Sequence, residues 1–147
     1  MIGERIKRIE DPALLRGGAR FADDLRIAGL AEAAFVRSPH PHAAIGAIDV
    51  SEAVRMPGVL AVFTLDDLAP ALTSERMPLG FRDDRLPDGI TPFVLAKDEV
   101  RHVGEPVAVV VAKTRYLAED AAQLVDIDYR PLPAVADCRA AAAPDAP

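Results

Sequence analysis

Residues 103–134 read VGEPVAVVVAKTRYLAEDAAQLVDIDYRPLPA. Within this stretch, Val107–Ala112 is apolar at every position, which predicts a strand that is covered on both faces. Pro106 precedes it at a position where the missing amide donor is tolerated. Gly104 lies just before the strand, and we expect it to adopt a positive φ that other residues avoid.

The second half of this stretch predicts a helix and another strand. Thr114 is a favourable N-cap, and the residues that follow it fall on one helical stripe: Leu117, Ala121, Leu124 and Val125. Ile127–Arg130 has the composition of a short strand, and Pro131 and Pro133 end it. The order strand, helix, strand predicts a βαβ unit.

Further toward the N-terminus the pattern of strand, helix and strand recurs. Three strands are predicted, at Leu30–Ser38, Ala44–Val50 and Val59–Phe63. A short helix capped by Ser51 should separate the last two, and Thr64 should cap a single turn after them. The Ile45–Phe63 segment thus repeats the order of the C-terminal third without matching its residues.

Two segments differ in character from these elements. Residues 1–29 form an irregular N-terminal segment, with a short helix that Asp11-Pro12 opens and Gly17-Gly18 ends. Pro70–Pro92 is rich in proline, glycine, arginine and aspartate and is predicted to be a long surface loop. Such loops are uncommon in compact domains, so we favour a loop that contacts a partner over one that is merely flexible.

Length, charge and cysteine content narrow the class of protein. A chain of 147 residues, half of them hydrophobic, fits one domain with one core built from Val, Ile and Leu, with alanine allowing close packing. The net charge of −6 disfavours a nonspecific nucleic-acid binder. The sequence shows neither the apolar part of a signal peptide nor a run of about 20 apolar residues that could cross a membrane. The single cysteine, Cys138, suits a cytoplasmic protein.

Side chains capable of chemistry do not form a recognisable catalytic set. His40 and His42 could both face a metal, but zinc needs further ligands, so we interpret His40-Pro41-His42 as a rigid turn. Adjacent carboxylates point apart on a strand or a helix and are therefore interpreted as caps and turns. These pairs are Asp23-Asp24, Asp66-Asp67 and Asp83-Asp84, whereas Glu119-Asp120 is expected near a helix start, where negative charge favours the helix dipole.

Glycine, serine and cysteine motifs lead to the same result. Gly17-Gly18 lacks the spacing of a phosphate-binding or dinucleotide-binding loop. Ser38 and Ser51 lack the context of a nucleophile elbow, and Cys138 has no basic neighbour that would activate it. The sequence therefore predicts no catalytic, cofactor-binding or metal-binding residue in this chain.

Several stretches occur together in a characteristic order. They are Ile2-Gly3, Arg8–Pro12, Leu15–Asp24, Ala34–Ala43, Met56–Val59, Val103–Ala108, Ala118–Ala122 and Asp128–Ala134. Together they resemble the start of the large subunit of molybdenum hydroxylases, the family of xanthine dehydrogenase, aldehyde oxidase and carbon monoxide dehydrogenase. The chain departs from the family pattern at Gly18-Ala19, where a glycine–x–glycine rhythm is frequent, and at Glu105, where glutamine is common.

The resemblance implies an α/β-hammerhead domain that supports the cofactor domains of a larger enzyme. The parent reaction would be hydroxylation or oxidation of an aldehyde, an N-heterocycle or carbon monoxide. The parent complex would use molybdopterin cytosine dinucleotide, with FAD and [2Fe-2S] clusters in partner subunits. Because the family's catalytic glutamate belongs to domains beyond the hammerhead region, no catalytic role carries over to a residue of this chain.

We therefore expect an α+β hammerhead fold, with a mixed sheet of short strands and two main helices. Residues 30–139 would form this domain, between the N-terminal segment 1–29 and a linker or truncated end at 140–147. Its partners would be the remainder of the large subunit and the flavin and iron–sulfur subunits, with self-association when it is isolated. The alternative is a free-standing binding or assembly protein without catalytic activity.

Overall fold

The fold is described from a computed structural model, which covers residues 3, 5–78, 80 and 89–147. The chain divides into two compact units, Met1–Leu30 and Ala31–Pro147. The described strands all lie in the second unit. Several residues of the sequence analysis lie outside the described residues. They are Ile2 of the family motifs, the pair Asp83-Asp84, and Leu79 and Phe81 of the loop predicted at Pro70–Pro92.

The first sheet of the second unit is built around its central strand. Strand β5, Pro106–Ala112, pairs with β1, Glu32–Arg37, on one edge and with β3, Val59–Phe63, on the other. Both pairs are antiparallel. The predicted strand is confirmed, but its cover on both faces is incomplete, because four of its seven residues are buried and the other three keep intermediate exposure.

The second sheet has the strand order β4–β2–β6. Strand β2, Ala43–Asp49, lies in the middle, between β6, Asp126–Pro131, and the two-residue strand β4, Glu99–Val100. Both pairs are again antiparallel. Strand β4 is too short to give a periodic pattern and is not foreseen from the sequence.

The hammerhead class is confirmed, but the strands form two sheets instead of one mixed sheet. The predicted βαβ unit is also wrong, since β5 and β6 belong to different sheets. The reason is geometric: β1 and β3 already occupy both edges of β5, so no edge remains for β6. The chain leaves its last helix and pairs with β2 instead.

Two main helices cover one face of the first sheet. They are α2, Ser51–Arg55, and α4, Arg115–Ala122. Ala53, Val110 and Ala121 form the buried centre between helices and sheet, and Val36, Val59 and Val62 pack against it. Alanine on both helices permits this close approach, as the alanine-rich composition predicts.

A second buried cluster lies where the second sheet meets the start of β5. It consists of Ala43, Ala96, Val100 and Val107, with Ile45, Ile48, Ile127 and Tyr129 packed against it. The two clusters flank β5 from opposite sides, because Val107 and Val110 point to opposite faces of the strand.

The predicted helix starts are partly confirmed. The Thr114 side chain accepts a hydrogen bond from the Leu117 amide at 3.3 Å, as expected of an N-cap. Thr64 holds the N-cap position of helix α3, Leu65–Leu68, and the Thr64 amide donates a hydrogen bond to the Asp67 carboxylate at 2.8 Å. These contacts stabilise the first turn of each helix, with a capping box in α3 alone.

Two other predicted caps are wrong by one residue. Ser51 is the first residue of α2, and Val50 holds the cap position. The Ser51 amide instead donates to the Asp49 carboxylate at 2.8 Å, so an aspartate two residues earlier satisfies it. In helix α1, Asp11–Leu14, the cap is Glu10, and Asp11 already lies within the helix.

The first unit contains α1 and a 3-10 turn at Ala22–Asp24. Gly17 adopts a φ of +67°, and the Gly18 amide donates to the Ala13 carbonyl at 2.8 Å, which confirms the predicted helix end. Among the described residues of this unit none is buried. The predicted strand end or turn at Phe21–Asp24 is realised as that 3-10 turn.

The loop predicted at 70–92 has a defined base in its described part. Arg76 and Phe93 form an isolated antiparallel bridge, and the Met77 amide donates to the Pro92 carbonyl at 3.0 Å. The Arg76 guanidinium lies 3.9 Å from the centre of the Phe93 ring, a cation–π contact that stabilises this base. Residues 79 and 81–88 lie outside the described residues, so the partner contact proposed for the loop stays a prediction.

Gly58 occupies the tightest position found for any described glycine with a positive φ. Its φ is +96°, and a Cβ atom built there would lie 2.6 Å from Cδ1 of Leu117 on α4. The Lys113 amide also donates to the Gly58 carbonyl at 3.0 Å. Gly104 has the positive φ expected of it, +87°, but its Cβ position faces open space.

Alanine substitutions at the two glycines distinguish the cost of backbone strain from the cost of a steric conflict. We expect Gly104→Ala to cost about 1 kcal/mol, from the left-handed conformation alone. Gly58→Ala should cost about 2–4 kcal/mol, since overpacking adds to the same strain. Urea unfolding of both variants measures the difference, and a Leu117→Ala background should reduce the Gly58→Ala cost to the Gly104→Ala value. A Gly58→Ala cost that is the same with leucine and with alanine at position 117 would contradict the conflict with α4.

Candidate functional site

The polar groups of the second unit concentrate around the turn that leads into β5. Glu105 is only 3% exposed although it carries a carboxylate. Its Oε2 atom accepts a hydrogen bond from the Arg101 amide at 2.5 Å and lies 3.7 Å from Nδ1 of His102. The carboxylate therefore closes the turn 101–105 by capping its first amide.

The backbone of the same turn is tied to the end of β1. The Ser38 amide donates to the Glu105 carbonyl at 2.9 Å, and the Gly104 amide donates to the Ser38 carbonyl at 2.8 Å. The Arg37 guanidinium donates to the Gly104 carbonyl at 2.8 Å. This exchange continues the β1–β5 pairing past the irregularity at Val36 and Arg37.

A shallow cleft opens beside this turn. Its walls come from the turn before β2, from β4 and the residues after it, and from the chain after β6; they include Pro41, His42, Glu99, Arg101, His102 and Pro133. Nδ1 of His42 lies 2.7 Å from the Pro133 carbonyl oxygen. Because a carbonyl oxygen only accepts, this nitrogen carries the hydrogen, and the histidine fastens the chain after β6 to the turn before β2.

In the cleft, Glu99 lies between Arg101 and His42. Its carboxylate lies 2.9 Å from the Arg101 guanidinium and 3.5 Å from Nε2 of His42. Burial would raise the pKa of Glu99, but the hydrogen bonds from Arg101 and His42 outweigh it and hold the pKa below its ordinary value. The carboxylate thus lies as an anion between the Arg101 guanidinium and the His42 ring.

His40 and His42, the histidine pair of the sequence analysis, are directed to different surroundings. The His40 ring lies 5.0 Å from the ring of Tyr129, whereas His42 contacts Pro133 and Glu99. Ser38 is buried, and its hydroxyl bonds to the backbone of His40 at 3.0 Å. These contacts match a rigid turn; the absence of a metal here stays a prediction.

The Tyr129 hydroxyl is buried and has no hydrogen-bond partner in the described part of the chain. Burial raises its pKa, and the nearby Ser38 side chain opposes the shift without reaching hydrogen-bond geometry.

Two of the aspartate pairs contribute local caps, whereas the position expected for Glu119-Asp120 near a helix start is wrong, because the first turn of α4 holds no acidic residue. Asp24 accepts from the Phe21 amide at 2.9 Å, and Asp67 accepts from Thr64. Backbone and side-chain hydrogen bonds from Thr64 lower the pKa of Asp67. Glu119 and Asp120 lie within α4, and Cys138 is exposed. Among the described residues, no three His, Cys, Asp or Glu side chains are grouped so that they could hold a metal ion.

Sequence reasoning did not foresee the cleft or the burial of Glu105. The sequence contained one signal for this burial. Glu105 stands between Gly104 and Pro106, directly before an apolar strand, where its side chain has little access to solvent. The approach of Glu99, Arg101 and His42 could not be read from the sequence, since it depends on the pairing of β2 with β4.

Comparison with known proteins agrees with this architecture. Residues 16–133 match the family described as aldehyde oxidase and xanthine dehydrogenase, a/b hammerhead domain. The chain belongs to this family.

Relatives of the family extend the match over almost the whole chain. The chain is 42% identical over 146 residues to the carbon monoxide dehydrogenase large chain of Afipia carboxidovorans, and this covers 99% of the chain and 17% of the relative. The nicotine 6-hydroxylase large subunit of Paenarthrobacter nicotinovorans is also 42% identical, with 95% of the chain and 17% of the relative covered.

Solved structures support the same fold. The crystal structure of a Cu,Mo-containing CO dehydrogenase superposes with a TM-score of 0.83 at 42% identity, covering 99% of this chain and 17% of the compared chain. The hammerhead domain of molybdenum hydroxylase large subunits is thus the part of those proteins to which this chain corresponds. The chain spans only 17% of the length of these relatives.

None of the described helices has the length and apolar character needed to cross a membrane.

Replacing Glu105 should distinguish its acceptor role from its charge. Glu105→Gln keeps an oxygen for the Arg101 amide, and we expect a change within about 1 kcal/mol. Glu105→Ala removes the acceptor and leaves a gap, so the free energy of unfolding should fall by about 2–4 kcal/mol. Glu52→Ala, at an exposed ion pair on α2, is the control and should change it by about 0.5 kcal/mol or less. A costly Glu105→Gln would show that the charge itself is required.

Acid should weaken the domain partly through Glu99. Its pKa is lowered by folding, so its contribution is complete above the unfolded value of about 4.3 and is lost as the pH falls through the folded value. Wild type should therefore exceed Glu99→Gln in stability at neutral pH, and this difference should shrink in acid. Unfolding by urea from pH 7 to pH 3 measures it; a difference that does not vary with pH would refute the role of Glu99.

Proposed function

We propose that the chain serves as the N-terminal structural domain of a molybdenum hydroxylase large subunit. In this role it would support the cofactor domains and contact partner subunits, without carrying catalytic residues itself. The observation that carries the proposal is the match along nearly the whole chain to large chains of which it covers only 17%. Residues 1–29 would be an N-terminal extension, 30–139 the hammerhead domain and 140–147 a linker.

Apolar side chains of the N-terminal segment support this role. Leu15 is 86% exposed and Phe21 is 63% exposed, although both are large and apolar. Further exposed residues of this kind are Ile6, Ile9, Leu14, Leu25 and Ile27. Fully burying one such side chain is worth about 1.5–3 kcal/mol, so several together favour association with another surface.

The charge of the N-terminal segment limits the kind of partner surface that it can bind. A groove within the first unit is lined by Ile6, Pro12 and Leu15 together with basic side chains: Arg5, Lys7, Arg8 and Arg16. Asp11 is the acidic residue of this groove. An apolar surface with an acidic rim would therefore complement it. Ile90 of the long loop is also exposed, and we expect it to contact another part of the subunit as well.

The side chains of this chain do not offer the ligands of an iron–sulfur cluster. An iron–sulfur cluster requires several thiolate ligands, and the sequence contains only Cys138. The described carboxylates Glu99 and Glu105 are committed to Arg101 and to its amide. Molybdopterin cytosine dinucleotide, FAD and [2Fe-2S] would accordingly belong to other parts of a cytoplasmic complex, and no reaction step is assigned to residues here.

The parent reaction would be oxidation or hydroxylation of an aldehyde, an N-heterocycle or carbon monoxide. Relatives with such different names as carbon monoxide dehydrogenase and nicotine 6-hydroxylase match this chain equally well, at 42% identity. Equal similarity to both is what a supporting domain would show, because substrate choice would lie elsewhere in the subunit.

A segment exchange tests the proposal directly. The matching 146-residue segment of the Afipia carboxidovorans large chain is replaced by this chain, and the hybrid is expressed in a host that makes the cofactor. We expect an assembled, molybdenum-containing hybrid by gel filtration and elemental analysis, whereas the chain alone carries no molybdenum and oxidises none of the family's substrates. Near-stoichiometric molybdenum in the chain alone would refute a purely structural role. A hybrid that never assembles would favour the free-standing binding or assembly protein.

A further inference from the structure

The first sheet has a face that α2 and α4 do not cover. Strand alternation and pairing place six apolar residues on it in two rows. One row is Phe35, Val109 and Phe63, and the other is Ala33, Val111 and Ala61. These six residues are called the outer face below.

The assignment of the two faces follows from the core. Val36, Val110 and Val62 belong to the cluster beneath the helices, so their sequence neighbours Phe35, Val109 and Phe63 point the other way. Phe35 is 49% exposed and Ala33 is exposed, while the other four keep intermediate exposure. The Arg37 guanidinium lies 5.3 Å from the Phe35 ring centre, at one end of the face.

A central apolar strand is normally covered on both sides, and this one is covered fully on only one. Val107, on the same side of β5 as the outer face, is buried by the second sheet. Val109 and Val111, further along β5, are not buried to the same degree. The outer face thus begins where the cover supplied by the second sheet ends.

We propose that the outer face is the surface on which the remainder of the large subunit packs. This rests on the proposed function, and it names the surface that carries the contact. The expected occupant is an apolar element of that subunit, with an acidic or carbonyl group placed to meet Arg37.

The size of the face favours this occupant over a second copy of the chain. Three strands spaced about 4.8 Å apart, each presenting two outward residues over about four positions of about 3.4 Å, give on the order of 200 Å². A stable contact between separate proteins buries about 800 Å² on each partner. Within one polypeptide a smaller contact suffices, because the linkage raises the effective concentration of the two surfaces. The carbon monoxide dehydrogenase large chain offers such a linked partner. The part matched here is 17% of its length, so 83% lies outside the match.

The segment exchange described above also tests this surface, with substitutions in the hybrid. Phe35→Lys places a charge on the outer face, at the position of its large, half-exposed aromatic side chain. Val54→Lys is the matched control, because Val54 is 52% exposed but lies on α2, away from this face. We expect Phe35→Lys to lower the yield of assembled hybrid by about tenfold or more, and Val54→Lys to leave it near the unsubstituted value.

Thermal unfolding of the isolated variants shows whether the domain itself still folds. Should Phe35→Lys unfold it, Ala33→Arg carries the test, since it adds a charged group at an exposed position and removes no packed side chain. Assembly of the Phe35 and Ala33 variants at the level of Val54→Lys would overturn the inference and leave the proposed function intact. Failure of the unsubstituted hybrid would overturn the proposed function and the inference with it. A dimer of the isolated chain that Phe35→Lys abolishes would overturn the choice of occupant.

Discussion

Strand β5 must satisfy hydrogen bonds on two edges and cover apolar side chains on two faces, and the second unit is arranged around this requirement. β1 and β3 supply both edges. α2 and α4 cover Val110 on one face, and the second sheet covers Val107 on the other. The helix layer can approach closely because alanine and Gly58 leave room for Leu117 and its neighbours. Each of these elements is therefore placed by its contact with one strand.

The turn before β5 joins the two sheets. Gly104 and Glu105 exchange backbone hydrogen bonds with Ser38, while the Glu105 carboxylate holds the amide of Arg101. Arg101 in turn contacts Glu99 on β4. A buried carboxylate is costly unless it is well hydrogen-bonded, and here the backbone supplies the bond. The polar groups at this point serve the geometry of the fold, which agrees with a supporting domain.

The uncovered surfaces have a common physical meaning. The N-terminal segment exposes large apolar side chains, and the outer face leaves β5 only partly covered. Isolated exposed apolar residues are normal, but contiguous sets of this kind mark surfaces that another part of an assembly covers. In the proposed role, the remainder of a large subunit would supply this cover.

The sequence by itself determined the strands β1, β2, β3, β5 and β6, the helix after Thr114 and the positive φ of Gly104, because periodicity, capping and glycine conformation are local properties. The ordered motifs also identified the family. Tertiary structure decided what depends on distant residues: the division into two sheets, the two-residue strand β4 and the cleft around Glu99. The βαβ interpretation was wrong for the same reason. Local pattern shows that β6 is a strand, but only the occupied edges of β5 decide that it pairs with β2.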